Sequence, residues 1–158
     1  MHIRIQTDDF DLSAEIARLR AANPAIGAVV TFVGTVREMS GEAQVTGMEI
    51  EHYPGMTEKT LQEIVVQAEQ RWNVIDTLVI HRVGMLQPLD QVVLAAVVSS
   101  HRMDAFAACE FIMDYLKTQA TFWKKEHTPN GNHWVKARDS DEQAVEKWDA
   151  DAYSGRRP

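Results

Sequence analysis

Two apolar runs limit the folds open to this chain. Val92 to Val98 is its longest uninterrupted apolar stretch, and Ala28-Val29-Val30-Thr31-Phe32-Val33 is nearly as uniform. Both fall far short of the roughly 18 to 20 residues needed to span a bilayer. A half-exposed strand alternates apolar and polar residues, so runs this uniform read as buried strands, the one from Ala28 to Val33 ending in a loop at Gly34-Thr35-Val36-Arg37.

The surrounding residues predict the other elements. His2 to Gln6 reads as a short strand. Asp11 or Ser13 caps a helix that carries Leu12, Ile16 and Leu19 on one face and stops before Pro24. The polar, glycine-containing stretch 38–44 reads as a mobile loop, followed by a strand over 45–53 and a Pro54-Gly55 turn. A helix from Thr57, with a capping-box pattern at Thr60 to Glu63, places Leu61, Ile64, Val65, Ala68 and Trp72 at helical spacing. Strands follow at 77–83 and 91–99, then a helix over 104–119 with Phe106, Cys109, Ile112, Met113 and Leu116 inward. Asn130-Gly131 joins arms at 122–127 and 133–137 into a hairpin, and a polar helix over 141–148 comes last. Mixed strands and helices, with several antiparallel pairs, give an α+β fold with a mixed or antiparallel sheet, packed helices and a small β-hairpin subdomain. At 158 residues one domain is expected, over 1–150, with a loose tail at 151–158.

Composition matters mainly through charge. The formal net charge of -7 opposes general nucleic-acid binding. From Lys117 to Arg138, however, five basic residues face one acid, so this window carries +4 and the rest of the chain -11. A cationic patch on an acidic body suits a small anionic ligand. The single cysteine cannot form an internal disulfide, and the N-terminus shows no basic segment followed by an apolar one. Both point to the cytoplasm and away from a membrane.

The six histidines form no metal-binding pattern, and no Walker loop, dinucleotide fingerprint or nucleophile elbow is present. No metal or cofactor is expected. Ser99-Ser100-His101-Arg102-Met103-Asp104 stands where a buried strand gives way to a helix, whose free N–H groups favour a phosphate. An Arg102 pairing with Asp104 beside a partly buried His101 is the plainer alternative. Lys117 either serves a site or simply complements the helix dipole. Lys124 and Lys125 are adjacent in a strand, so only one can enter a given pocket. Arg37 can clamp a phosphate or cap its loop. Trp123 and Trp134 read as core or interface anchors, and Cys109 as an inert packed thiol.

Taken in order, several segments resemble the large subunit of molybdopterin synthase: 27–37, Glu49-Ile50-Glu51-His52-Tyr53-Pro54-Gly55-Met56, Ile80-His81-Arg82-Val83-Gly84, Ser100-His101-Arg102, Phe111-Ile112-Met113-Asp114-Tyr115-Leu116-Lys117 and Phe122-Trp123-Lys124-Lys125-Glu126. The likeness runs from about Gly27 to Trp148. Gln119 and Thr121 depart from it, standing where family members carry Arg and Pro. The resemblance implies an α/β-hammerhead-like fold and a sulfurtransferase. A small ubiquitin-like partner would bring a C-terminal Gly-Gly thiocarboxylate, and sulfur would pass in two rounds to cyclic pyranopterin monophosphate to make a dithiolene. It further implies a homodimer of large subunits with a small subunit at each end, a heterotetramer. By position in the motifs, Lys117 and Lys124 would be catalytic. Thr35, Val36, Arg37, His101 and Arg102 would hold the substrate, with Lys125, Glu126 and Arg138 close by. A module that binds a phosphorylated small molecule or nucleotide without catalysis is the alternative.

Overall fold

The computed structural model describes residues 1–136 and 139–149. Ala137 at the end of the expected hairpin arm, Arg138, and the expected tail at 151–158 lie outside them. The elements run β1 (His2–Gln6), α1 (Leu12–Ala21), β2 (Ala28–Thr35), β3 (Met39–Ser40), β4 (Ala43–Gln44), β5 (Gly47–His52), α2 (Met56–Arg71), β6 (Val74–Arg82), β7 (Gly84–Leu86), β8 (Gln91–Ser99), α3 (Arg102–Gln119), β9 (Phe122–Thr128), β10 (Gly131–Trp134) and α4 (Asp139–Asp149).

The α+β reading holds. One four-stranded sheet has the order β1-β6-β8-β2, and a second has the order β10-β9-β5-β7. Every pairing is antiparallel except β1 with β6. In β8 the two-residue period divides the apolar run between two cores. Val93, Ala95 and Val97 meet Leu61, Ile64, Ala105 and Ile112 of α2 and α3, while Leu94 and Ala96 meet Leu19 of α1. Cover on both faces is why this strand is apolar throughout.

The other apolar run departs from expectation. β2 extends to Thr35 and pairs only with β8, so it is a sheet edge, half-buried, with Phe32 39% exposed. Its residues are apolar without being enclosed. Stretch 38–44 is also more ordered than a loop: β3 and β4 form a minimal hairpin about Gly41, whose φ of 64° suits glycine. A further short strand, β7, is only three residues long and is set off from β6 by Val83, with Gly84 at φ 87°.

Helix ends follow local chemistry. Asp11 caps α1, its carboxylate accepting from the Ala14 N–H at 3.0 Å. α2 begins one residue earlier than the sequence suggests: the Glu58 carboxylate accepts from the Gly55 N–H at 2.7 Å, and Thr60 instead donates to the Met56 carbonyl. In α3 the inward face is broader than expected and excludes Phe106, which is 63% exposed. Phe106 falls on the narrow stripe that carries Glu110 and Lys117, whereas Phe111 and Tyr115 turn inward. Phe111, Trp72 and Trp148 pack edge to face with centroids 5.4 to 5.5 Å apart. Trp148 also donates to Asp114 at 2.8 Å, and this fastens α4 to α3.

Candidate functional site

The hairpin of β9 and β10 forms at Asn130-Gly131, with Gly131 at φ 122°. Alternation along β9 then sorts the charged cluster. Lys124 lies opposite Ile50, and Phe122 opposite His52. Ile50 and Phe122 belong to the core of the second sheet with Val36, Val45, Leu86 and Val92. Lys124 therefore enters on the inner side and is half-buried, with Glu126 on the same face. Lys125 faces outward, its Nζ 4.9 Å from the centre of the Trp134 ring. Trp123 and Trp134 are 46% and 53% exposed on that outer face, so neither is a core anchor.

Lys117 occupies the last turn of α3 and is exposed. Only Thr118 to Thr121 separate it from β9, and this short connection brings the two lysines together. Burial, and after it the charge of Lys117, hold the Lys124 ammonium below the usual lysine pKa, while Asp141 at the start of α4 acts in the opposite direction. The pair is a locus of positive charge in which one member is biased toward losing its proton.

The segment Thr35-Val36-Arg37 is tied to the second sheet through Val36, which lies in the core that Phe122 borders. Val36 is buried; its N–H donates to the Asp90 carbonyl at 2.9 Å and its carbonyl accepts from the Leu89 N–H at 2.8 Å. Its role is to seat the loop, leaving Thr35 and Arg37 exposed on either side.

His101 and Arg102 stand elsewhere. His101 is the N-cap of α3, at the opposite end of the 18-residue helix from Lys117. Sixteen residues at about 1.5 Å each put the two about 24 Å apart along the axis. Both His101 and Arg102 are exposed, and among the described residues no ion pair joins Arg102 to Asp104. One chain thus brings together Lys117 and Lys124, but not His101 and Arg102. Arg138 lies outside the described residues.

One residue beside the site was not singled out by its sequence. His81 of β6 is 1% exposed and stacks on Phe122, centroids 3.7 Å apart and planes 15° from parallel. Its Nδ1 lies 2.8 Å from the Arg82 carbonyl, to which it donates. Burial first, then the charge of Lys124, push its pKa down to about 3. The available signal was a histidine directly following Leu78-Val79-Ile80 in a buried strand.

Cys109 is buried at 4% exposure among the α3 core residues, and burial pushes its thiol up to about 11. Such a thiol is a poor nucleophile. Among the described residues no three His, Cys, Asp or Glu side chains are placed to hold a metal ion.

Comparison with known proteins identifies the family. The family described as MoaE protein matches residues 5–119. The chain is 63% identical over 146 residues to the molybdopterin synthase catalytic subunit of Ralstonia nicotianae, spanning 92% of this chain and 83% of the relative. The corresponding protein of Vibrio cholerae is 52% identical, with 93% and 97% covered. Among solved structures, the molybdopterin biosynthesis MoaE protein from Burkholderia ambifaria superposes with a TM-score of 0.82 at 60% identity, covering 95% of this chain and 99% of that one. Molybdopterin synthase from Staphylococcus aureus gives 0.77 at 36% identity, covering 84% and 95%. The chain belongs to the MoaE protein family.

Proposed function

We propose that this chain is the catalytic subunit of a molybdopterin synthase, in which Lys117 and Lys124 carry the chemistry of sulfur transfer. The observation that supports these roles is the inward, half-buried Lys124 beside Lys117 at the end of α3. The partner is a small ubiquitin-like subunit whose C-terminal thiocarboxylate enters the lysine pocket. Its sulfur replaces an oxygen substituent on a side-chain carbon of cyclic pyranopterin monophosphate: the carbon–sulfur bond forms as the carbon–oxygen bond breaks, and the departing oxygen takes up a proton. Water then cleaves the acyl–sulfur bond, leaving the sulfur on the pterin and a carboxylate on the tail. A second round completes the dithiolene.

Each chain residue has a task in that sequence. The Lys117 ammonium faces the oxyanion that develops as the acyl–sulfur bond breaks, a role for fixed positive charge. Lys124, with its lowered pKa, exchanges a proton with the reacting groups. Thr35 and Arg37 offer a hydroxyl and a guanidinium to the substrate, with Glu126 on the inner face of β9. Cys109 takes no part, since the sulfur arrives on the partner.

His101 and Arg102 bind the substrate phosphate at a helix N-terminus, but a helix length separates them from the lysines of their own chain. In a homodimer of large subunits they serve the lysine pair of the other copy. The complete assembly is a heterotetramer with one small subunit per large one. Among the described residues no helix is long and apolar enough to cross a membrane. A single buried cysteine fits a cytoplasmic location.

The test is reconstitution with the thiocarboxylated small subunit and the pterin precursor, following the dithiolene product. Turnover supports the reading. Tight precursor binding without turnover would identify a binding module instead.

A further inference from the structure

His81 belongs to the first sheet and Phe122 to the second, so their stack is a contact between sheets. Phe122 and Lys124 occupy the same face of β9, two residues or about 7 Å apart. The side chain that seats Phe122 thereby sets where that face stands, and Lys124 with it. We propose that His81 is a positioning residue for Lys124: its buried ring, stacked on Phe122, holds the inward face of β9 against the first sheet. The inference rests on the reading of Lys124 as a catalytic residue.

Three features support it. The ring is held in orientation, because Nδ1–H donates to the Arg82 carbonyl while the Arg82 guanidinium itself donates to the carbonyls of Thr7 and Gln91. The imidazole plane is thus anchored through backbone on β6, β8 and the loop after β1. The near-parallel approach of the two rings requires a flat side chain at position 81, which an aliphatic residue of like volume does not offer. Lastly, His81 is neutral over the working pH range, so it adds no third positive charge beside Lys124 and Lys117; the other titratable group acting on it is His52, which lies across from Phe122 on β5.

Two variants test this, each checked for retained folding: Leu is close to His in volume, and Phe is larger but keeps the ring. His81→Phe keeps a flat ring, and His81→Leu removes it. In the reconstituted synthase, His81→Leu is expected to lower kcat at least tenfold, with the KM for the pterin precursor within threefold and the partner subunit still bound. The Lys124 titration, followed by carbon NMR at its Cε, is expected to move in the same variant. His81→Phe is expected to stay within threefold of the parent in kcat, with the titration unmoved. A His81→Leu protein within twofold of the parent and with an unchanged Lys124 titration overturns the proposal, as does a His81→Phe protein as slow as His81→Leu. Lys124→Ala separates the two layers. If it is inactive while His81→Leu is fully active, only the role of His81 fails; if it is fully active, the reading of Lys124 fails and the role of His81 with it.

Discussion

His101 caps the N-terminus of α3 and Lys117 closes its last turn, so two groups suited to one anionic substrate stand at opposite ends of a single helix. A rigid helix of this length cannot fold back on itself, and the separation of about 24 Å follows from the rise per residue. Shared use of one substrate then requires two chains.

Hybrid dimers make this arrangement measurable. A dimer of one Arg102→Ala chain and one Lys117→Ala chain contains one site with both defects and one with neither. Purified with two different tags, it is expected to show about half the activity of the parent dimer, while each homodimer is nearly inactive. Activity no greater than that of the homodimers would show that each chain completes its own site.

The lysine pair makes a directional statement about pH. Burial and the neighbouring charge both lower the pKa of Lys124. Removing that charge with Lys117→Gln relieves part of the effect, so the pKa of Lys124 rises. The inflection that Lys124 contributes to the pH profile of kcat/KM is expected to move to higher pH, whether it gives or takes the proton. A shift toward lower pH, or none in the Lys124 titration, would count against the proximity of the two groups.

His81 connects acid stability to burial. Its pKa is lowered from 6.5 to about 3, so between those values the unfolded chain binds a proton that the folded chain does not. Stability therefore falls as pH drops from 6.5 toward 3, at a limiting slope of about 1.4 kcal/mol per pH unit from this group. Urea unfolding of His81→Phe across pH 4 to 7 is expected to show a shallower acid loss than the parent. Equal slopes would mean that His81 protonates in the folded state.

Cys109 supplies a chemical control. Packed in the core and held as a thiol, it is expected to be dispensable: Cys109→Ala should retain sulfur transfer within twofold and lose about 1 kcal/mol of stability, the worth of one buried apolar atom. A loss of transfer in a folded Cys109→Ala protein would point to a sulfur relay through the chain.

Much of this is legible in the sequence. The uniform run in β8 marked cover on both faces, Asn130-Gly131 marked the hairpin, and strand alternation separated Lys124 from Lys125. What escaped depends on tertiary neighbours. The run in β2 has the composition of a central strand yet sits at an edge, because composition does not record which side of a sheet remains unpaired. Phe106 and Phe111 are equally apolar, and only the breadth of the packed face of α3 decides which is enclosed. His81 acquires its meaning from a ring contributed by another sheet, 41 residues later in the chain.

The most direct measurement is single-turnover sulfur transfer from the thiocarboxylated small subunit, comparing the parent with Lys117→Ala and Lys124→Ala after confirming that each variant still assembles. Both variants are expected to lose at least about 100-fold in rate, roughly 3 kcal/mol of transition-state stabilisation, with assembly intact. Assembled variants that form the dithiolene within threefold of the parent rate would contradict the account.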